Sequence, residues 1–126
     1  MEIDVDELYE KIVYLIGRLD LSEILYIEWR KDRIRVYFID DSFLDIWFSR
    51  NKPCKYAFHW ERRHVDGSIY RWDNVAHRKY EYIETFPHHL HYGSKDNVRP
   101  FRPASTWEET IVEIINFIIK KIRERK

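Results

Sequence analysis

Residues 71–91 carry the densest set of side chains that could do chemistry. An imidazole moves protons near neutral pH, a guanidinium grips a phosphate at two points, and a carboxylate fixes the tautomer of a neighbouring imidazole. Metal-independent RNA cleavage needs such groups, because a 2′-hydroxyl must lose a proton, phosphate charge must be stabilised and the leaving oxygen must be protonated. The candidate catalytic residues are His77, His88, His89, Arg71 and Asp73.

Roles for these residues follow from their chemistry. We expect His88 or His89 to act as general base and His77 as general acid. Arg71 would stabilise the phosphate, and Asp73 would orient a histidine. Aromatic faces bind unpaired bases with little sequence preference, so neighbouring polar and aromatic side chains are candidates for substrate binding. These candidates are Asn74, His91, Tyr92, Arg63 and Asn97.

Metal binding is a rival use of the same histidines. His77, His88 and His91 could supply a three-histidine site, and His89 and His91 could share an ion if they lie on one side of an extended segment. Their spacing matches no established zinc pattern, and Cys54 has no partner cysteine. We therefore expect no metal and no other cofactor. A histidine-based metallohydrolase and a non-catalytic module that binds protein or RNA stay as alternatives.

Charge is unevenly distributed along a chain whose formal net charge is zero. Residues 1–50 have 7 basic and 12 acidic side chains, whereas residues 51–103 have 10 basic and 6 acidic ones and all six histidines. A polyanion would be attracted to residues 51–103 and repelled by residues 1–50. The same modest excess is also compatible with an ordinary solvated surface.

Length and composition indicate one domain, residues 1–126, with a single core. One cysteine and no charged segment before an apolar run favour the cytoplasm. The longest apolar stretch, 111–119, is too short to span a bilayer, so we expect no membrane partner. The absence of glutamine and the 35% of charged residues point to a thermophilic source.

The elements that must position these side chains follow from hydrophobic periodicity. Apolar residues at helical spacing predict helices over 4–17, closed by Gly17, and 106–123, capped by Thr106. Alternating runs predict strands over 24–30, 34–39, 43–49, 55–64, 69–73 and 79–85, with an irregular segment after them. The order predicts an α+β fold: an N-terminal helix, an antiparallel sheet of five to six strands and a C-terminal helix, with both helices on one face of the sheet.

The alternation also predicts which side chains share a face. A three-residue loop, Asp66-Gly67-Ser68, with glycine in the left-handed conformation, would pair strand residues of equal parity. Side chains predicted to face the core are Leu25, Ile27, Trp29, Ile34, Val36, Phe38, Leu44, Ile46, Phe48, Tyr56, Phe58, Trp60, Tyr70 and Trp72. The other face of the hairpin would hold His59, Glu61, Arg63, Arg71 and Asp73, which could equally form a plain cross-strand lattice of ion pairs.

Three pieces of residues 59–98, in this order, resemble the TumE family of small toxins from type II toxin-antitoxin systems. They are His59-Trp60 with Asp66-Gly67-Ser68; Arg71-Trp72-Asp73-Asn74 leading to His77; and Thr85-Phe86-Pro87-His88-His89 with His91, Gly93-Ser94 and Val98. The helix-then-sheet order is also similar to that of barnase-like and RelE-like ribonucleases, which is an analogy of fold alone.

The resemblance implies a toxin encoded beside a cognate antitoxin, acting in the cytoplasm, with ribonuclease activity and RNA as substrate. An antitoxin would then cover the positive segment, because covering it would block the substrate. The oligomeric state stays open.

Overall fold

The computed structural model describes residues 4–124. A seven-stranded sheet lies between two long helices in the sequence. The helices are α1 Val5–Leu19, α2 Arg63–Asp66 and α3 Trp107–Glu124. The strands are β1 Ile24–Trp29, β2 Ile34–Phe38, β3 Phe43–Phe48, β4 Tyr56–Arg62, β5 Ser68–Asp73, β6 His89–Gly93 and β7 Val98–Pro100. They pair antiparallel in sequence order. The predicted α+β architecture is confirmed, with one more strand than the upper estimate.

Each long helix is capped by a side chain that the sequence supplies. The Asp4 carboxylate accepts a hydrogen bond from the Glu7 N–H at 3.2 Å, and the Thr106 hydroxyl accepts one from the Glu109 N–H at 3.1 Å. α1 continues two residues past the predicted end, to Leu19. Asp20, with a φ of 49°, takes the left-handed position that closes it.

Both long helices cover the same face of the sheet. Trp107 of α3 packs on Tyr56, Phe58 and Phe48. Farther along this helix, Phe117 contacts the rings of Trp60, Tyr70 and Trp72. The predicted core residues of β2 to β5 are buried, which confirms their common face. These are Ile34, Val36, Phe38, Leu44, Ile46, Phe48, Tyr56, Phe58, Trp60, Tyr70 and Trp72.

β1 departs from the predicted alternation. A register shift between Ile24 and Tyr26 leaves Leu25 outside the pairing, and its side chain is 59% exposed. Leu25 was therefore wrongly assigned to the core. Ile27 packs against the core as predicted, whereas Trp29 is 46% exposed and touches it through the ring of Tyr9. A bulge reverses which residues of a strand face the core, and it cannot be predicted from hydropathy or spacing.

The β4–β5 hairpin pairs residues of equal parity, as predicted. His59 lies opposite Arg71 and Trp60 opposite Tyr70, so the polar and aromatic side chains separate onto the two faces. The connection is longer than the predicted three residues, because residues 63–66 form α2 before Gly67 turns the chain with a φ of 82°. The register thus differs from the predicted one while the faces are unchanged.

Residues 74–100 were the least well predicted part of the chain. The strand expected over 79–85 is wrong: Arg78–Tyr80 is a single 3₁₀ turn, and turns follow it. β6 and β7 occupy a segment that was expected to be irregular. Pairing of β6 with neighbours on both sides outweighs the weak strand preference of its histidine and glycine. Within residues 4–124 no helix is both long and apolar enough to cross a membrane.

Candidate functional site

The face of the sheet opposite the helices carries a row of charged and polar side chains. Direct cross-strand partners run from Arg35 on β2 through Asp45, His59 and Arg71 to His91 on β6. Arg35 closes one end of the row with two hydrogen bonds to Asp45, at 2.7 and 2.9 Å. The row results from the alternation of strands whose other side chains form the core.

A cleft of about 330 Å³ opens at the β5–β6 end of this row. Arg71 and Asp73 of β5 and His89 and His91 of β6 form its floor, and Asp73 lies directly opposite His89 in the pairing. The segment between β5 and β6 and the β6–β7 turn supply the rim. Rim side chains are His77, Lys79 and Tyr80 from the first and Lys95 and Asp96 from the second.

Asp73 is the centre of the cleft and is only 2% exposed. Its carboxylate accepts hydrogen bonds from the Val75 N–H at 3.0 Å and from Nε of Arg71 at 3.1 Å. Nε2 of His89 lies 3.1 Å from one carboxylate oxygen, and Nε2 of His91 lies 3.7 Å from the other. One buried carboxylate is thus faced by two imidazoles and a guanidinium.

The backbone fixes both of these imidazoles through their Nδ1 atoms. Nδ1 of His89 donates to the carbonyl of Pro87 at 2.9 Å, and Nδ1 of His91 donates to the carbonyl of Lys95 at 2.7 Å. Burial lowers the pKa of His91, against the opposing effects of the Lys95 carbonyl and Asp73, so its neutral form is favoured at pH 7. The Nε2 atoms of both rings point toward Asp73.

Next to the cleft, His59, Glu61 and Arg63 form an ion-pair chain. Glu61 lies 3.1 Å from Nε2 of His59 and 2.6 Å from the guanidinium of Arg63. Burial lowers the pKa of His59 despite the neighbouring carboxylate. Arg63 is 67% exposed and does not line the cleft, so this part of the face matches the ion-pair alternative.

The structure does not bring His88 or Asn74 into the cleft. His88 forms a 2.9 Å hydrogen bond through Nδ1 to the hydroxyl of Tyr56 and stacks on its ring. The Asn74 amide accepts from the Tyr56 N–H at 3.1 Å and donates to the Cys54 carbonyl at 2.7 Å. Both residues therefore hold the start of β4 in place.

Tyr92 and Asn97 also lie outside the cleft. The ring of Tyr92 faces α3, where it contacts Phe117, and the guanidinium of Arg99 lies 3.8 Å from its centre. The Asn97 amide donates to the Tyr92 carbonyl at 3.0 Å and so fixes the β6–β7 turn. Of the predicted site residues, the cleft gathers Arg71, Asp73, His77, His89 and His91.

Sequence reasoning missed Lys79, Tyr80 and Lys95. The Tyr80 ring lies 5.0 Å from the ring of His89 and 5.9 Å from that of His91, so it forms one wall of the cleft. Residues 79 and 80 had been assigned to a strand, which hid their position beside His77. The signal available in the sequence was the position of Lys79 and Tyr80, which follow shortly after Arg71 and His77.

A second hollow of about 250 Å³ adjoins the cleft at Arg71. Arg33, Trp47 and His59 also line it, and Ala57 forms part of its floor. Ala57 lies opposite Trp47 in the pairing, and Asp45 completes the lining of the hollow. Arg71 thus belongs to both concavities.

Comparison with known proteins agrees with the sequence resemblance. No curated protein and no solved structure matches the chain. The family model described as Toxin TumE matches residues 15–123, which is most of the chain and includes every residue of the cleft. The chain therefore belongs to the TumE family of toxins, and its family implies a cognate antitoxin as partner.

Proposed function

We propose that this toxin is a ribonuclease that acts on single-stranded RNA in the cytoplasm and that the β5–β6 cleft is its active site. The observation that carries the proposal is the buried Asp73 carboxylate, faced by His89 and His91, beneath the partly exposed guanidinium of Arg71. Titratable groups that hold one another in place within a cleft are candidates for a functional site.

The rim of the cleft suits a phosphate. Arg71 is 38% exposed, its hydrogen bond to Asp73 uses Nε, and its Nη1 lies 3.5 Å from Nδ1 of His59. On the rim, the exposed Lys79 and Lys95 outnumber the one exposed carboxylate, that of Asp96. Fixed cations next to a phosphate stabilise the charge that grows on its oxygens during cleavage.

The proton-transfer roles change from those expected from the sequence. His88 lies against Tyr56, away from the cleft, and His89 is 1% exposed with Nδ1 held by a carbonyl. Neither can reach a ribose hydroxyl as a general base. His77 is exposed at the rim, and we keep it as the proton donor to the leaving oxygen.

The hollow beside the cleft would bind the neighbouring base. An indole face can stack on any base, and Trp47 lines this hollow together with Arg71. A nucleotide whose phosphate contacts Arg71 would place its base in this hollow, and recognition of unpaired bases by stacking is typical of single-stranded RNA.

The test is RNA cleavage by the purified protein, assayed on free and on ribosome-bound RNA, in EDTA and with added divalent metal. Wild-type protein should cleave in at least one condition, and Arg71→Ala should lower the rate about 100-fold or more, the loss typical of a group that stabilises transition-state charge. Arg50→Ala is the matched control, because Arg50 is 44% exposed, pairs with one carboxylate and lies outside the cleft. It should cleave at the wild-type rate.

Two results would contradict the proposal. Saturable RNA binding without turnover in every condition would identify a non-catalytic binding module. Full activity of a folded Arg71→Ala variant would move the active site away from this cleft.

A further inference from the structure

We propose that Asp73, His89 and His91 form a binding site for one divalent transition-metal ion. Each side chain offers one ligand atom, and the three atoms lie within 4.8 Å of one another. β5 and β6 hold them rigidly, because Asp73 pairs with His89 and the two histidines alternate onto the same face of β6.

The tautomers of both histidines suit a metal ligand. A backbone carbonyl only accepts hydrogen bonds, so the Nδ1 atoms that face Pro87 and Lys95 must carry the ring protons. In a neutral imidazole this leaves a lone pair on Nε2. Both Nε2 atoms are directed at the Asp73 carboxylate, so three potential ligand atoms lie in one place.

His89 supplies an independent observation. Its side chain is 1% exposed, and its Nε2 has no hydrogen-bond partner within residues 4–124. The nearby oxygen of Asp73, at 3.1 Å, does not meet the angular requirement of a hydrogen bond. Buried polar atoms almost always have a hydrogen-bond partner or a ligand. A metal ion bound by both Nε2 of His89 and the carboxylate of Asp73 would satisfy this Nε2 atom.

Second-sphere contacts hold every ligand in place. The Val75 N–H and Nε of Arg71 orient the Asp73 carboxylate, and backbone carbonyls orient the two imidazoles. Metal sites in proteins use this arrangement to fix the ligand tautomer and direction before the ion arrives.

The donor set indicates which ions would bind. Two imidazoles and one carboxylate favour zinc and its transition-metal neighbours over Mg²⁺ and Ca²⁺, which prefer oxygen ligands. Zinc bonds of about 2.0–2.1 Å in a tetrahedron separate the ligand atoms by about 3.4 Å. The separations of 3.1 Å to His89 and 3.7 Å to His91 involve different oxygens of Asp73, and one ligand atom from each residue lies within 4.8 Å of the others. Three protein ligands beside an open cleft leave a position for water, as in catalytic zinc sites.

Metal binding is independent of the proposed ribonuclease activity, and the experiment measures binding alone. Untagged protein is stripped with EDTA, dialysed and titrated with Zn²⁺ by calorimetry, with Co²⁺ absorption as a second readout. We expect one ion per chain and a rise in Tm on loading. Asp73→Asn and His91→Ala should each weaken Zn²⁺ binding about 100-fold or more, since even second-sphere changes cost 10- to 100-fold.

His64→Ala is the matched control, because His64 is an exposed histidine that hydrogen-bonds to the Asp41 carbonyl and is not among the three ligands. It should bind Zn²⁺ as the wild type does. Circular dichroism establishes that each variant is folded, and His89→Gln serves as a further variant. Absence of stoichiometric binding, an affinity unchanged in folded Asp73→Asn and His91→Ala, or an equal loss in His64→Ala would each overturn the metal site. RNA cleavage in EDTA by a protein that binds no zinc would leave the proposed function standing.

Discussion

Nε2 of His89 lies 3.1 Å from the carboxylate of Asp73, and both side chains are almost completely buried. Their backbones are direct partners in the β5–β6 ladder, so the contact is built into the sheet and does not depend on a mobile loop. The buried Asp73 carboxylate is paired with the guanidinium of Arg71 and faced by two imidazoles, as expected for an ionisable group, which is rarely buried without a partner.

Adjacent histidines should differ sharply in their effect on toxicity. His89→Ala removes a side chain from the cleft floor and should abolish growth inhibition on expression in a host cell. His88→Ala should remain toxic and lose about 1 kcal/mol of stability, because it removes the hydrogen bond to Tyr56. Growth curves, normalised to protein amount by immunoblot, test both. Loss of toxicity in His88→Ala at wild-type protein levels would contradict this separation.

Trp47→Ala should weaken RNA binding while leaving the fold intact. Its indole lines the hollow next to Arg71, and stacking on an aromatic side chain contributes about 1–3 kcal/mol per base. We expect Kd for a short single-stranded RNA to rise about 5- to 150-fold in fluorescence anisotropy. Tyr82→Ala, which removes a ring that is 77% exposed and outside the hollow, is the control. Equal affinities of Trp47→Ala and wild type would exclude this base site.

The ion pair between Glu61 and Arg63 should make stability depend on pH. Hydrogen bonds from Arg63 lower the pKa of Glu61 from 4.5 to about 2. A lowered folded-state pKa contributes stability that is complete above the unfolded pKa and is lost as pH falls toward 2. Because Arg63 is 67% exposed, Glu61→Gln should cost only about 1 kcal/mol at pH 7, and the difference should vanish near pH 2. Urea unfolding at pH 7, 4 and 2 measures it, and a difference that grows on acidification would contradict the assignment.

Tyr9→Phe should destabilise the packing of α1 on the sheet. The fully buried hydroxyl donates to the Asp32 carbonyl and accepts from the Phe48 N–H, both at 2.9 Å. Its removal leaves the Phe48 N–H buried without that partner, which costs about 1–3 kcal/mol. Tyr14→Phe on the same helix is the control, since Tyr14 is 66% exposed, and it should change stability by less than about 0.5 kcal/mol. Equal effects of the two changes in chemical denaturation would show that the buried hydroxyl is not a structural link.

Local periodicity determined the two long helices, the order of β1 to β5 and the faces of β2 to β5. Alternation in β2, β3, β4 and β5 is a property of neighbouring residues, and a core on one face requires it. The pairing of equal-parity residues in the β4–β5 hairpin could therefore be predicted from the sequence, whereas the length of its loop could not. A thermophilic source and the antitoxin-binding surface stay predictions.

Only the tertiary structure decided the centre of the cleft. The sequence presents His88, His89 and His91 as one cluster, and their separation depends on whether the segment is a strand and on the residue at which it begins. β6 is a strand because β5 and β7 satisfy its backbone on both sides, which is an interaction between distant segments. Once that pairing forms, His89 and His91 turn toward Asp73 and His88 turns toward Tyr56, because successive side chains of an extended chain point to opposite faces.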